Sequence, residues 1–126
     1  MREILFRGKL IDDFEWVTGS LIQYGKDALI FTRFGTGMYH TDPETVGQYT
    51  GMTDKNGAKI FEGDIVHFEY QGTNKGLHGS GKVVCEDCKF ALEWGWHKEI
   101  VCLTNFHGGT FEVIGNIYDN PELMEG

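Results

Sequence analysis

Residues 90–97 read Phe-Ala-Leu-Glu-Trp-Gly-Trp-His, and this stretch decides the fold class. Phe90, Leu92, Trp94 and Trp96 alternate with small or polar residues, which is the period of two of a half-buried β-strand. We therefore expect these four side chains to share one face and to pack in a core. The alternative is a stacking platform for bases or a groove for a peptide, which would also draw on Tyr24, Tyr39 and Tyr49.

Similar short segments recur along the whole chain. We predict strands at residues 3–9, 16–22, 28–34, 45–50, 58–61, 64–70, 82–85, 90–96, 100–104 and 110–117. Val66, Phe68 and Tyr70 are expected to line one face of their strand, and Phe111, Val113 and Ile117 one face of theirs. The pattern predicts an all-β fold, a single domain of short antiparallel strands.

Turn signals separate the predicted strands. Asp54-Lys55-Asn56-Gly57 is the clearest, because Asn-Gly favours the positive φ angles of a tight hairpin turn. Asp42-Pro43-Glu44 and Asn120-Pro121-Glu122 each combine an N-cap residue with Pro and an acid, which predicts one short helical turn at each place. Residues 71–81 hold four Gly and no periodicity, so we predict a mobile loop there.

Composition excludes several classes of protein. The 126 residues carry 11 Lys and Arg against 19 Asp and Glu, a net charge of −8, which disfavours binding to nucleic acid or to anionic lipid. Gly is about twice as frequent as usual, at 18 residues, without the period of collagen. The three Cys and the absence of an apolar leader or membrane span predict a cytoplasmic protein with reduced thiols.

The charge is uneven along the chain. Residues 1–63 contain 7 basic and 9 acidic side chains, or −2, and residues 64–126 contain 4 and 10, or −6. The near-neutral charge of the first half therefore allows a local basic patch around Arg2, Arg7, Lys9 and Arg33. The acidic second half suits a basic partner better than nucleic acid, although ordinary solvated surface explains both halves.

Two motifs resemble known sites without their structural context. Residues 76–82 match G-x-x-x-x-G-K, but Val83 follows in place of Ser or Thr, and a strand follows in place of a helix, so we predict no nucleotide site. Cys85-Glu86-Asp87-Cys88 has the spacing of half a zinc site, which Cys102, His97 or His107 would complete. The alternative is a hairpin turn at Glu86-Asp87 with a Cys on each flanking strand.

Nothing in the sequence argues for an enzyme. The acidic pairs Glu62/Asp64 and Asp12/Asp13 were considered for acid–base chemistry, but Asp64 follows a Gly before a strand, where Asp accepts turn hydrogen bonds. The five His, at positions 40, 67, 78, 97 and 107, show no metal or triad spacing. We predict no catalytic residues, no metal and no cofactor.

Four segments in order resemble one family. They are Phe6-Arg7-Gly8-Lys9 with Trp16-Val17-Thr18-Gly19, Thr45–Gly51, Asp54–Gly57 running into Ile60–Val66, and Phe111–Leu123. Together they resemble the YopX family, small proteins of bacteriophages and prophages. The match covers nearly the whole chain and is looser between residues 51 and 103.

The resemblance implies a fold and a phage context rather than a mechanism. It implies N-terminal strands over residues 1–53, with an SH3-like, partly open barrel over residues 54–126, within the single domain. It supplies no functional residues and does not include Cys85 and Cys88. We expect a non-enzymatic module that binds an unidentified host or phage protein. A small nucleic-acid-binding barrel is the alternative, and a metal protein or enzyme using Cys85 and Cys88 is the third. Self-association through an edge strand is open, and no membrane is expected.

Overall fold

The computed structural model describes residues 4–32, 37–70, 77–86, 89–94, 99–102 and 110–124, and it is all-β as predicted. The strands form two antiparallel sheets. They are β1 (Phe6–Lys9), β2 (Trp16–Tyr24), β3 (Asp27–Phe31), β4 (Met38–Thr41), β5 (Gly47–Thr53), β6 (Lys59–Phe61), β7 (Asp64–Tyr70), β8 (Leu77–Glu86), β9 (Lys89–Trp94), β10 (Glu99–Cys102) and β11 (Thr110–Asn116). Within the described residues, two 3₁₀ turns, η1 (Pro43–Thr45) and η2 (Pro121–Met124), lie where Asp42-Pro43 and Asn120-Pro121 predicted helical turns.

The chain divides into two compact units, Met1–Gly51 and Met52–Gly126. In the first unit the strand order is β4-β3-β2-β1-β5. The end of β1 also reaches β4, because Leu10 and Thr41 form a β-bridge and the Asp42 N–H donates to the Lys9 carbonyl at 2.8 Å. Buried Ala28, Ile30 and Tyr49 supply apolar core in this unit, together with Thr41, whose hydroxyl donates to the Ala28 carbonyl at 3.0 Å.

The second unit has the larger apolar core. Its five-stranded sheet runs β10-β9-β8-β7-β11. The buried cluster comprises Ile60, Val66, Phe68, Val83, Leu92 and Phe111, with Met52, Phe90 and Val113 packed against it. Each such side chain contributes about 1.5–3 kcal/mol when fully removed from water, so this cluster is the main apolar stabilisation of the unit.

The predicted shared faces are confirmed for Val66 with Phe68, for Phe90 with Leu92 and for Phe111 with Val113, but not for Ile117, which lies beyond the end of β11. Val66, Phe68, Leu92 and Phe111 are buried and Val113 is partly buried. In β11 the period of two is interrupted, because the register against β7 shifts between Val113 and Gly115. The side chains of Tyr70 and Trp94, and the whole of Trp96, lie outside the described residues.

Two local predictions were wrong. Residues 77–81 are strand rather than loop, because β8 begins at Leu77 and pairs with β7, placing Gly79 opposite Phe68 and Gly81 opposite Val66. Cross-strand pairing thus overrides the weak strand preference of Gly. Strand β4 was not predicted, because its four residues are too few to show a period of two. The rest of the predicted loop, residues 71–76, lies outside the described residues.

The hairpin turn after β5 has a different geometry from the one expected. Gly57 has a φ of 85°, but Asn56 does not have a positive φ. The Gly57 N–H donates to the Asp54 carbonyl at 3.0 Å, so the loop is a turn closed by one left-handed Gly rather than a turn with two positive φ angles. The prediction of a turn at this place is confirmed.

Gly19 in β2 provides a test of the close backbone packing in the first unit. A Cβ at this position would overlap the carbonyl oxygen of Phe31 and approach the Thr32 Cα to 3.1 Å. Because backbone atoms cannot move aside cheaply, we expect Gly19→Ala to lower the free energy of unfolding by about 3 kcal/mol, measured by urea denaturation.

Gly37→Ala is the matched control. Open space surrounds the Cβ position of Gly37, so the same added methyl group should leave the free energy of unfolding unchanged or slightly higher. Equal urea midpoints for the two variants would contradict the packing described for Gly19.

Candidate functional site

Among the described side chains, more of the exposed large apolar ones belong to the first unit than to the second. Among the described residues, two large exposed apolar side chains, Ile114 and Leu123, belong to the second unit. The first unit carries Ile4, Ile11, Phe14, Ile22, Tyr24, Phe31, Met38 and Tyr39. Contiguous apolar surface of this kind marks interaction sites more often than isolated exposed residues do.

Strand register places half of these side chains together. Residues directly opposite each other in an antiparallel pair share a face. Three rows therefore cross β2, β3 and β4 on one face: Ser20–Phe31–Met38, Ile22–Leu29–His40 and Tyr24–Asp27. We call Ile22, Tyr24, Leu29, Phe31 and Met38 on these rows the apolar face.

The opposite face of the same strands is the buried one. Ile30, Ala28 and Thr41 are almost fully buried there. On the apolar face the exposed fractions are 77% for Tyr24, 55% for Met38, 46% for Phe31 and 42% for Ile22. The three strands thus carry apolar side chains on both faces, and one of those faces is open to solvent.

A second group of side chains lies on the same face, toward the start of β2. Lys9 is opposite Trp16 in the β1–β2 register, and Arg7 is opposite Thr18. The Arg7 guanidinium carbon lies 4.7 Å from the centroid of the Trp16 ring. The Lys9 Nζ lies 6.0 Å from that ring and 5.7 Å from the Phe14 ring. We call Arg7, Lys9, Phe14 and Trp16 the cationic–aromatic cluster.

Phe14 is held in an unusual conformation. Its φ is 61°, in the left-handed region that an aromatic residue rarely adopts, and 70% of its surface is exposed. It lines a groove of about 200 Å³ together with Lys9, Leu10, Ile11, Asp42 and Pro43. A strained residue with an exposed ring is an arrangement found more often at binding sites than elsewhere.

These two groups correspond only in part to the sequence predictions. Arg7 and Lys9 of the predicted basic patch lie together, while Arg2 and Arg33 are outside the described residues. The predicted aromatic platform is not assembled from its tyrosines, since Tyr24 is on the apolar face, Tyr39 is opposite Ile30 on the other face, and Tyr49 is buried.

Sequence reasoning missed the apolar face as a unit. Residues 28–31, Ala-Leu-Ile-Phe, are all apolar, so the run contains no alternation to show which side chains are exposed. A continuous apolar run on a strand is the usual sign of burial on both faces. Only the register of β3 against β2 and β4 separates buried Ile30 from exposed Phe31.

Two of the four acidic residues named for acid–base chemistry, Asp64 and Asp13, accept backbone hydrogen bonds. The buried Asp64 carboxylate accepts from the Phe61 N–H at 2.7 Å, which is the turn bond predicted for it. The Asp13 carboxylate accepts from the Glu15 N–H at 3.2 Å, and Asp12 is exposed.

The Lys of the nucleotide-loop match also has a structural explanation. Lys82 lies inside β8, opposite Glu93 of β9, and its Nζ is 3.9 Å from the Glu93 Oε1. Strand residues Val83 and Val84 follow it. The motif therefore lacks the helix whose N-terminus would bind phosphate.

The predicted zinc ligands are mostly outside the described residues. Cys85 carries an exposed thiol in β8. Strands β8 and β9 pair antiparallel across this place, so the predicted hairpin is confirmed, but Glu86 pairs with Lys89 and is strand rather than turn. Cys88, His97 and His107, and the side chain of Cys102, lie outside the described part, within which no group of three metal-binding side chains occurs.

The carboxylate of Asp54 accepts three backbone hydrogen bonds. Its Oδ1 accepts from the backbone N–H groups of Asn56 and Ala58 at 2.9 and 2.8 Å, and its Oδ2 accepts from the Val113 N–H at 2.9 Å. The hydrogen bond from Val113 is the largest factor that holds the pKa of Asp54 below its usual value, although burial opposes it. This carboxylate joins the β5–β6 hairpin to β11.

Comparisons with known proteins identify the family but not an activity. The model of the family described as YopX protein matches residues 6–125, so this chain belongs to the YopX family, as its sequence motifs predicted. The crystal structure of protein EF1440 from Enterococcus faecalis is similar, with a TM-score of 0.63 and 22% identity over 99% of this chain and 100% of that one. That likeness shows the fold alone. No curated protein matches this chain.

Within the ranges of the chain that the structure describes, no helix is long and apolar enough to cross a bilayer.

Asp54 makes the stability of the second unit depend on pH. Because folding lowers its pKa, the charged form is favoured in the folded protein, and the stabilisation is complete above the ordinary pKa of 3.8. It is lost as the pH falls through the lower folded pKa. We expect urea denaturation at pH 7 to show that Asp54→Asn is destabilised by about 1–3 kcal/mol, with the difference from wild type shrinking toward pH 2–3.

The exposed Asp12→Asn variant removes the same charge and serves as control. Its free energy of unfolding should differ from wild type by less than about 0.5 kcal/mol at pH 7. If Asp54→Asn were equally mild, the three backbone hydrogen bonds would not be stabilising the hairpin.

Proposed function

We propose that this protein is a non-enzymatic module, encoded by a phage or prophage and present in the bacterial cytoplasm, that binds another protein. Its contact surface is the apolar face of β2, β3 and β4. The observation that carries the proposal is the alignment of Ile22, Phe31 and Met38 on one solvent-exposed sheet face. Membership of the YopX family supports the phage context.

The area of the apolar face is suited to a protein contact. A large aliphatic or aromatic side chain offers about 150–250 Å², so the exposed fractions of its four most open residues amount to roughly 350–550 Å². That is the size of the largest apolar patch on a typical monomer, which is often functional. Four such side chains in adjacent rows give a partner a continuous surface from which water can be excluded.

The charge distribution also favours a protein partner over nucleic acid. On the rows of the apolar face, Asp27 and His40 are the acidic and basic residues, and both lie at its border. The net charge of −8 repels a polyanion at separations shorter than the Debye length. An apolar contact needs no charge at its centre.

The described residues give no support to catalysis. The acidic side chains Asp54 and Asp64 bind backbone N–H groups, which is how carboxylates stabilise turns. A binding role requires only the exposed face and a stable scaffold, both of which this chain offers.

One observation favours nucleic acid as a second candidate ligand. In the cationic–aromatic cluster Lys9 lies near the rings of Phe14 and Trp16, and proteins that bind single-stranded nucleic acid combine such cations for phosphate contact with aromatic rings for base stacking. Exposed Phe14 would offer its ring to a base beside Lys9. The cluster is small, so only one or two nucleotides would be contacted.

The apolar face can be tested with a matched pair of variants. Ile22 and Ile114 are equally exposed, at 42% and 40%, and both lie in strands. The full-length chain is immobilised and exposed to nuclease-treated bacterial lysate. We expect Ile22→Thr to lower the amount of bound partner protein at least fivefold. Thr keeps the β-branch, so the strand is preserved while apolar contact is lost.

Ile114→Thr is the control and should retain the partner as wild type does. Quantitative mass spectrometry of the bound protein measures both variants. Equal retention by Ile22→Thr and wild type, or equal loss by the two variants, would contradict binding through the apolar face.

The second candidate is tested by titrating oligo-dT into the protein and following Trp fluorescence at two salt concentrations. If the cluster binds nucleic acid, Lys9→Gln should weaken binding severalfold, because it removes a phosphate contact. Lys26→Gln removes the same charge at the β2–β3 turn and should have little effect. Binding that does not change with salt, or that both variants weaken equally, would exclude the cluster as a nucleic-acid site.

A further inference from the structure

We propose that Asn56 is a site of covalent modification by deamidation, that the hydrogen-bonded turn at residues 54–57 restrains the reaction, and that the isoaspartate product loosens the β5–β6 hairpin from β11. This inference concerns the second unit and is independent of the proposed binding function. Among the Asn residues of the sequence, Asn56 alone precedes a Gly; the others precede Lys75, Phe106, Ile117 and Pro121.

Deamidation needs a backbone nitrogen that can reach the side-chain amide. A base in solution removes the proton of the Gly57 N–H, and the nitrogen attacks the Asn56 Cγ. The Cγ–Nδ2 bond breaks and ammonia leaves, which closes a five-membered succinimide ring. Water then opens the ring at either carbonyl carbon and yields Asp or isoaspartate. Gly57 favours the attack because it has no side chain beside the nitrogen and few restrictions on its backbone angles.

In the folded turn both reacting groups are engaged, although Asn56 and Gly57 are exposed. The Gly57 N–H donates to the Asp54 carbonyl at 3.0 Å, and the Asn56 Nδ2 donates to the Glu112 Oε2 at 3.3 Å. Loss of the Gly57 proton requires the first bond to break, and rotation of the Asn56 side chain toward the nitrogen requires the second. The reaction therefore follows an opening of the turn.

The carboxylate of Asp54 controls how often the turn opens. It accepts from the Asn56 and Ala58 N–H groups on one oxygen and from the Val113 N–H on the other. Hydrogen bonds to a charged acceptor are stronger than those between neutral groups. Exposed turns open locally at a lower free energy than the whole fold, so weakening these bonds should raise the open fraction and the rate of deamidation together.

The isoaspartate product does not fit the hydrogen bonds of the turn. Its main chain runs through the former side chain, which inserts one extra carbon between residue 56 and Gly57. The N–H groups of residues 56 and 58 lie on either side of that insertion and both donate to the Asp54 Oδ1. The amide that donated to Glu112 of β11 is also lost, and a carboxylate near Glu112 adds repulsion between like charges.

The rate is tested by incubating the full chain near neutral pH, folded and in denaturing urea, and analysing peptic peptides by mass spectrometry. Residue 56 should deamidate at least tenfold more slowly in the folded chain than in the unfolded one. Asp54→Asn should react at residue 56 at least threefold faster than folded wild type. Asp12→Asn, with the same change at an exposed position, should react there at the wild-type rate.

The effect of the product is tested on the separated isoaspartate form. Its urea midpoint should be lower than that of unmodified protein. Asn56→Asp carries the same added charge without the extra backbone carbon, so its midpoint should fall less. An isoaspartate form with the midpoint of unmodified protein would overturn the loosening of the hairpin.

Three results would overturn the rest of the proposal. An Asn56 that stays intact in urea, or that reacts no faster there than Asn116, is not a deamidation site. Equal rates in folded and unfolded wild type, or in folded Asp54→Asn and wild type, remove the restraint by the turn. Circular dichroism establishes that Asp54→Asn is folded; if it is not, Glu112→Ala, which removes the acceptor of the Asn56 amide, must show the faster reaction.

Discussion

The structure of the first unit depends on the register of β2. Because side chains alternate along a strand, pairing Ser20 with Phe31 and Ile22 with Leu29 commits every even-numbered residue of β2 to one face. A shift of one residue would turn Ile30 outward and bury Asp27. Gly19 supports this register, since the Phe31 carbonyl occupies the space that any side chain at position 19 would need.

The two units use their apolar residues differently. Among the described residues of the second unit, six apolar side chains form one buried cluster around Phe68, and Asp54 ties the hairpin beside that cluster to β11 through three backbone hydrogen bonds. The first unit buries Ile30 and Tyr49 but leaves a comparable set of side chains exposed. Exposing Phe31 and Met38 costs stability that a monomer would recover by burial, which is why we connect this face with binding.

The cationic–aromatic cluster adds a local strain to that exposure. Left-handed backbone at a residue with a Cβ costs of order 1–3 kcal/mol, and Phe14 meets this cost while its ring stays mostly in solvent. Lys9 lies near both Phe14 and Trp16, and each such cation–π contact returns about 0.5–1 kcal/mol. The conformation of Phe14 thus presents a ring to ligands beside Lys9.

Sequence patterns alone predict the all-β class, most of the strands, the two Pro turns, the hairpin at Asp54 and membership of the YopX family. Each of these features rests on local periodicity, on turn chemistry or on motifs in a fixed order. The sequence did not determine β4 or the Gly-rich half of β8, where pairing with a neighbouring strand decides the conformation. The apolar face also depended on tertiary structure. The run Ala-Leu-Ile-Phe is uniformly apolar, and only the register against β2 and β4 turns Ile30 into the core and Phe31 into solvent.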